Sequence, residues 1–407
     1  MRGLIYLFVF FCFFPYIDII NIGTDTQPNA LLLSAVILFT VKNKRLNTAI
    51  VILWLLFFLT PFLAAFSDLS HFETLKNILN YLSAPMIYFA AYTVFSKSGF
   101  RMPFKAFLLV VLTYMFVAYM QMYHDPKFGT LLLNEGARGV MLGGRGVVSL
   151  CPEPAFYGSI CLFFIVFSLL QFSARQNLLT VPLLVIQLVF FSQSATSIIS
   201  LLVALALFFL IQLFKLRLSY LLTSTVLVLL IAAFYSGLSK TYKESRAGIL
   251  IEEIRQNPML IATVDVSAGV RITSSISPYL SARHNYFLPM GWGTYKSFIR
   301  ELHQSHRYPK LLNKYIVMEI GRLGGGINMI LFHLGFLGLL FPAAIYLAFR
   351  KSLGRDKVML AFIIFVVILF TQFQLMHSMI GFILAAAMVL PTSIIQSQTN
   401  RDNVNQL

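Results

Sequence analysis

Residues 196–214 read TSIISLLVALALFFLIQLF, nineteen positions without a single charge, and the chain turns basic at once with the KLR of residues 215–217. A helix of that length and apolarity crosses a bilayer core of about 30 Å. The pattern recurs. Apolar runs lie at about 3–20, 29–41, 47–66, 75–95, 104–122, 155–173, 178–192, 196–214, 218–236, 326–349, 358–371 and 373–391, twelve in all. Of the 407 residues, 58% are hydrophobic and 11% charged, against about 25% charged in an ordinary soluble domain. Alternating strand-like segments are absent, which argues against a β-barrel. The expectation is a single all-α, polytopic integral membrane domain over residues 1–407.

The N-terminal MRGLIYLFVFFCFFPY resembles a signal peptide but has no small-x-small cleavage site, so it is read as the first span. Cys12, Cys151 and Cys161 have no metal-ligand spacing and read as packed thiols. The net charge of +16 is placed in short loops between spans, a membrane pattern and not a nucleic-acid one. The KNKR, KSGFRMPFK, SARQN, KLR and RKSLGRDK connections, with both termini, hold 15 Lys/Arg and two acids, Asp356 and Asp402; the other side holds 16 Lys/Arg and 13 acids. The positive-inside rule therefore places both termini in the cytoplasm. Two long loops fall on the opposite face, at 122–154 and 237–325, where function is expected to reside.

The first loop ends in RGVVSLCPEPAFYGS, residues 145–159. Pro154 suits the first position of a helix and biases Glu153 toward extended backbone. Glu153 is thus placed at a helix mouth, where free N–H groups and the helix dipole favour an anion. A capping acid on a surface loop would carry the same pattern. The second loop carries twelve Lys/Arg and six acids from Lys240 to Arg322. Its TYKESRAGILIEEIRQNP reads as an amphipathic helix that lies on the membrane or roofs a cavity. Arginine offers a planar fork that binds phosphate through two N–H groups. His284, His303 and His306 have no acid or cysteine at a supporting spacing, so no metal is expected. Apart from His333 and His377 the spans carry almost no ionisable side chain away from their margins, which disfavours an ion-coupled transporter.

The order of these features resembles the bacterial O-antigen polymerase (Wzy) and O-antigen ligase superfamily of membrane glycosyltransferases. The residues that carry it are RGVVSLCPEPAFYG, then SQSATSII, then SAGVRI with Arg271, then GWGTY, then LFHLGFLG. The layout covers most of the chain and the motifs about forty residues. The ligase branch shows a histidine-rich element before the last of these, where this chain reads RLGGGIN; HQSHR and RHN stand earlier. That departure favours a polymerase.

The resemblance implies a GT-C-like, inverting transferase on the outer face of the bacterial inner membrane, with no cofactor, metal or nucleotide sugar. Donor and acceptor would be undecaprenyl-diphosphate-linked glycans, with a chain-length regulator as a further candidate partner and no nucleic acid. The product would be O-antigen or capsular polysaccharide. Glu153, Arg271 and Arg145 are the catalytic candidates: Glu153 as base, the arginines as clamps on the departing diphosphate. Arg138, Tyr157, Arg283, His284, Asn285 and Tyr295 are the substrate-binding candidates. An O-antigen ligase, a lipid-linked oligosaccharide flippase and a non-catalytic scaffold are the alternatives; a flippase would need a basic cavity through the bundle.

Overall fold

The computed structural model describes residues 2–19, 26–41, 46–65, 69–133, 146–215, 252, 255, 266–308, 312, 314–319 and 323–389. Among these the fold is helical, with one isolated bridge between Ile17 and Leu133. In chain order the helices are α1 (Arg2–Phe13), α2 (Asn29–Thr40), α3 (Thr48–Phe58), α4 (Thr60–Ala65), α5 (His71–Lys97), α6 (Phe104–Tyr123), α7 (Pro154–Gln171), α8 (Ala174–Ile186) and α9 (Ala195–Phe214). They continue with α10 (Val266–Asn285), α11 (Tyr295–Gln304), α12 (Lys314–Glu319), α13 (Gly326–Leu334), α14 (Leu340–Phe349), α15 (Asp356–Thr371) and α16 (Ser378–Val389).

Among the described residues six helical segments are long and apolar enough to cross a membrane: α5, α6, α7, α8 with its continuation to Ser192, α9, and Gly326–Ser352. Shorter apolar helices stand at Arg2–Phe13, Asn29–Thr40, Thr48–Leu63 and Ser378–Val389. The span expected at 3–20 stops at Phe13, because Pro15 cannot continue the helix. The remainder turns back, and the Asp18 amide donates to the Leu132 carbonyl at 2.8 Å. The span expected at 326–349 is broken into α13 and α14 by a 3₁₀ stretch, Gly335–Leu339. Gly335 has φ +56°, and a Cβ there would sit 2.2 Å from the Phe287 carbonyl oxygen. The ninth expected span, 218–236, lies outside the described residues, as does most of the expected amphipathic helix 241–258, of which Glu252 and Arg255 form an exposed ion pair at 2.7 Å.

Local sequence sets the helix ends. Ser173 and Gln176 form a reciprocal capping box at α8. Asn47 caps α3 through the Ile50 amide at 2.9 Å, and Ser194 caps α9 through the Ser197 amide at 3.3 Å. Glu73 lies in the first turn of α5 and Lys97 in its last, both favourable to the helix dipole.

Helix α7 is the axis of the bundle and is buried on nearly every side, so its sequence shows no polar face. It packs on α8, α9 and α15. Phenylalanines knit it to the first and last helices: the Phe13 ring lies 5.1 Å from Phe167, 5.9 Å from Phe107 on α6 and 5.5 Å from Phe382 on α16. Outward side chains such as Phe39, Leu207, Leu210 and Phe214 are apolar and exposed, a surface suited to lipid.

The connections sort to two ends. At one, the Lys357 ammonium donates to the Phe172 carbonyl at 3.2 Å, Gln171 donates to the Met102 carbonyl, and Gln212 donates to Asp356 at 2.9 Å. This end gathers the KSGFRMPFK, SARQN and RKSLGRDK connections. At the other end lie α10, α11 and α12. α10 packs on α12 and α13, and α11 on α12. The segment expected as a long loop at 237–325 thus carries helices where it is described. α5 and the Gly326–Ser352 segment carry 27 residues each, more than the roughly 20 that a core of about 30 Å needs. The α10–α12 layer packs on both segments: Trp292 is buried against Tyr81 of α5, ring centroids 5.8 Å apart, and the Met290 amide donates to the Phe332 carbonyl at 3.3 Å.

Candidate active site at the mouth of α7

The first long loop is tied down by one amide. Gln121, buried near the end of α6, donates through Nε2 to the carbonyls of Phe128 (2.8 Å) and Ser149 (2.9 Å), and its Oε1 accepts from the Ser149 amide at 2.7 Å. From there the Val147 amide donates to the Phe191 carbonyl at 2.8 Å. This lays residues 146–147 on the π-helical turn Gln187–Ser192 that ends α8. The approach depends on glycine: a Cβ at Gly146 would stand 2.1 Å from the Ser192 carbonyl oxygen.

Glu153 then opens α7. Its backbone is extended (φ −144°, ψ 155°), as the following proline requires, and Pro154 occupies the first helical position. Its carbonyl accepts from the Phe156 and Tyr157 amides, both at 3.1 Å. Its half-buried carboxylate makes no capping bond, and among the described residues it has no hydrogen-bond or ion-pair partner. The capping role that its position suggested is therefore not performed by its side chain.

Below Glu153 lies a network of hydroxyls and one amide. Ser159 of α7 meets Ser197 of α9 at 3.2 Å and donates to Gln372, which follows α15. Ser197 also reaches Gln372 Oε1 at 3.2 Å, Gln372 Nε2 donates to Ser200 at 3.3 Å, and Ser200 meets Thr371 at 3.1 Å. Gly158 lets α9 come close, since a Cβ there would stand 2.7 Å from Ser197 Oγ and 2.8 Å from Ser192 Oγ. RGVVSLCPEPAFYG and SQSATSII, separate in sequence, are thus packed against each other. The end of α15 continues the contact toward α13, where Asn328 Nδ2 donates to the Phe370 carbonyl at 2.6 Å. α13 and α15 both adjoin α10, the helix of Arg271.

The remaining candidates are distributed as follows. Arg271 is half-buried on α10 and is not ion-paired to Glu153. Arg138 and Arg145 lie outside the described residues. Tyr157 is fully buried, donates to Gln187 Oε1 at 2.9 Å and stacks on Tyr114. Tyr295 is buried with its hydroxyl 3.3 Å from both Ser274 and Ser277; burial pushes its phenol up from the usual value, against those two hydrogen bonds. Asn285 closes the turn after α10, accepting from the Leu288 amide at 3.0 Å and donating to the Met290 sulfur at 3.0 Å. Arg283 and His284 come together at a cavity of about 320 Å³ lined also by Leu280, Leu302, Arg307 and Tyr308. His284 Nε2 lies 3.6 Å from Glu301 Oε1. His303 Nδ1 is 2.6 Å from the Leu312 carbonyl oxygen, and the three cysteines are buried free thiols. Among the described residues no group of three or more His, Cys, Asp or Glu is arranged to hold a metal ion.

Gln121, Gln187 and Gln372 were not singled out from sequence. The available signal was an amide in or beside an apolar span, where an unsatisfied polar group is expensive and a partner is therefore expected.

No protein-family profile matches the chain, and no match was found among the curated proteins.

Proposed function

We propose that this chain is a lipid-linked polysaccharide polymerase, an inverting membrane glycosyltransferase that joins undecaprenyl-diphosphate-linked repeat units into O-antigen or capsular polysaccharide. It has twelve spans, with 218–236 as the ninth, both termini in the cytoplasm, and its reacting groups at the outer face of the bacterial inner membrane. One observation carries the reading. The Glu153 carboxylate stands at a rigid helix mouth, half-buried and without a partner among the described residues, where the two motif segments pack together.

In the proposed reaction Glu153 takes the proton of the acceptor sugar hydroxyl. That oxygen attacks the donor's anomeric carbon from the face opposite the diphosphate. The new glycosidic C–O bond forms as the anomeric carbon–diphosphate bond breaks. Arg271 and Arg145 stabilise the charge that builds on the leaving lipid diphosphate. The exposed apolar flanks of the bundle suit an isoprenoid tail.

The test is purified protein with a synthetic undecaprenyl-diphosphate repeat unit. A ladder of products spaced by one repeat is expected. Consumption of donor only when a lipid A core acceptor is added would replace the reading with a ligase, and no consumption with either acceptor would overturn both.

A further inference from the structure

We propose that the cavity at the C-terminal end of α10 is a subsite for a single carboxylate-bearing sugar of the glycan. That the ligand is a glycan rests on the function proposed above; that it is acidic rests on the cavity itself. At about 320 Å³ the cavity stands at the small end of the roughly 300–1,000 Å³ range of ligand pockets, room for one ring and not for a chain.

Its walls offer two kinds of surface. Arg283 comes from α10 and Arg307 from the segment after α11, so the two guanidinium groups reach the cavity from different elements. Among the described residues neither makes an ion pair or hydrogen bond. Leu280 and Leu302 are buried and form an apolar floor, and Tyr308 adds a hydroxyl and a ring. A sugar acid presents the same two surfaces, a carboxylate for an arginine fork and a C–H face for apolar groups.

Beside the cavity two aromatic rings stand in solvent. Tyr279, four residues before Arg283 on the same face of α10, is 70% exposed, and Tyr286, three residues after it, is 90% exposed. Tyr286 is held there by unusual backbone. Tyr286 and Phe287 have φ +58° and +62°, two consecutive non-glycine residues in the left-handed region. Such backbone persists only where its surroundings fix it. Here the Phe287 amide donates to the Ala282 carbonyl at 3.2 Å, and the Phe287 carbonyl accepts from the Phe336 amide at 2.9 Å in the space that Gly335 leaves open. The same turn leaves Tyr286 exposed, as a platform for a neighbouring sugar ring.

Charge selects a carboxylate over a phosphate. Arg283 and Arg307 line the cavity, and Glu301, outside its wall, stands 3.6 Å from His284. A singly charged carboxylate suits two guanidinium groups with an acid nearby, whereas a diphosphate would meet more repulsion from Glu301.

The experiment uses the full chain in lipid nanodiscs and titrates a glucuronate-containing tetrasaccharide, a neutral tetrasaccharide and inorganic phosphate by calorimetry. The uronate oligosaccharide should bind at least tenfold more tightly than the neutral one. Arg283→Gln/Arg307→Gln should weaken it at least tenfold, Tyr286→Ala several-fold, and Arg283→Lys only partly. Unchanged uronate binding by the double glutamine variant, or equal binding of the neutral sugar, overturns the subsite. Phosphate binding as tightly as the uronate and displacing it overturns the sugar assignment in favour of a phosphate site. Selective, arginine-dependent uronate binding by a protein that makes no product ladder supports the subsite and refutes the polymerase alone.

Discussion

Substituting Gly158 by alanine sets two known effects against each other. Alanine is favoured over glycine inside a helix by about 1 kcal/mol. Against this, the added Cβ would lie 2.7 Å from Ser197 Oγ, 2.8 Å from Ser192 Oγ and 2.8 Å from Ser197 Cβ. Overpacking of this kind costs about 1–3 kcal/mol, so a net loss of about 0–2 kcal/mol is expected. Gly146→Ala should be worse. Its Cβ would meet the backbone carbonyl of Ser192 at 2.1 Å, an obstacle that cannot rotate away, and it lies outside any helix, so no propensity is gained. Ser197→Gly removes two of the three atoms that crowd Gly158, so the pair should couple favourably by about 1 kcal/mol. Thermal or denaturant unfolding of the detergent-solubilised protein, followed by circular dichroism, gives the order wild type, Gly158→Ala, Gly146→Ala. Stabilisation by Gly158→Ala, wild-type stability of Gly146→Ala, or strict additivity with Ser197→Gly would refute the close approach of the loop and α9 to the mouth of α7.

Glu153→Gln should unfold within about 0.5 kcal/mol of wild type, because no capping bond is lost, while chain growth falls by about 10²–10⁴-fold; near-normal polymer from this variant would remove Glu153 from the mechanism. Arg271→Ala and Arg145→Ala should each abolish polymer at unchanged protein level, with lysine restoring only part because the bidentate fork is lost; full-length polymer from both alanine variants would end the clamp assignment. EDTA should leave activity unchanged, since no ligand spacing for zinc or magnesium is present in the sequence; loss in EDTA reversed by one divalent ion would promote the histidines to ligands.

Much of the bundle was legible because lipid permits few alternatives. The expected spans at 29–41, 104–122, 155–173 and 196–214 coincide to within a few residues with α2, α6, α7 and α9, since apolarity and helix are nearly one constraint in a bilayer. The start of α7 at Pro154 followed from the missing N–H of proline. Helix α10 was read as loop for an equally physical reason. VSAGVRITSSISPYLSARHN is rich in serine and β-branched residues and contains Pro278, all poor helix formers. Its helical form is supported by packing on α12 and α13, which only the folded chain supplies. The Ser159–Gln372 contact joins residues 213 positions apart, and no local pattern announces such a pair. The break at Gly335 was hidden because LFHLGFLG is as apolar as an unbroken span.

The distribution of charge bears on how such an enzyme would find its substrate. On the proposed orientation the inner side carries 15 basic and two acidic residues, a balance of +13, and the outer side 16 and 13, a balance of +3; together these give the net +16 of the chain. Most of the excess positive charge therefore fixes orientation in the membrane and lies a bilayer's thickness from the reacting groups. Charges that far apart are screened over about 8 Å at physiological ionic strength. An anionic lipid-linked glycan is thus drawn by no broad positive field at the outer face. On that orientation recognition falls to individual cations: Arg271 on α10, and Arg283 with Arg307 at the cavity. That is why the α10–α12 layer, packed on α5 and α13, matters to the proposed chemistry. It gives a nearly neutral surface a few positive points, and the hydroxyl network joins α7, α9 and the end of α15 beneath Glu153, the proposed base.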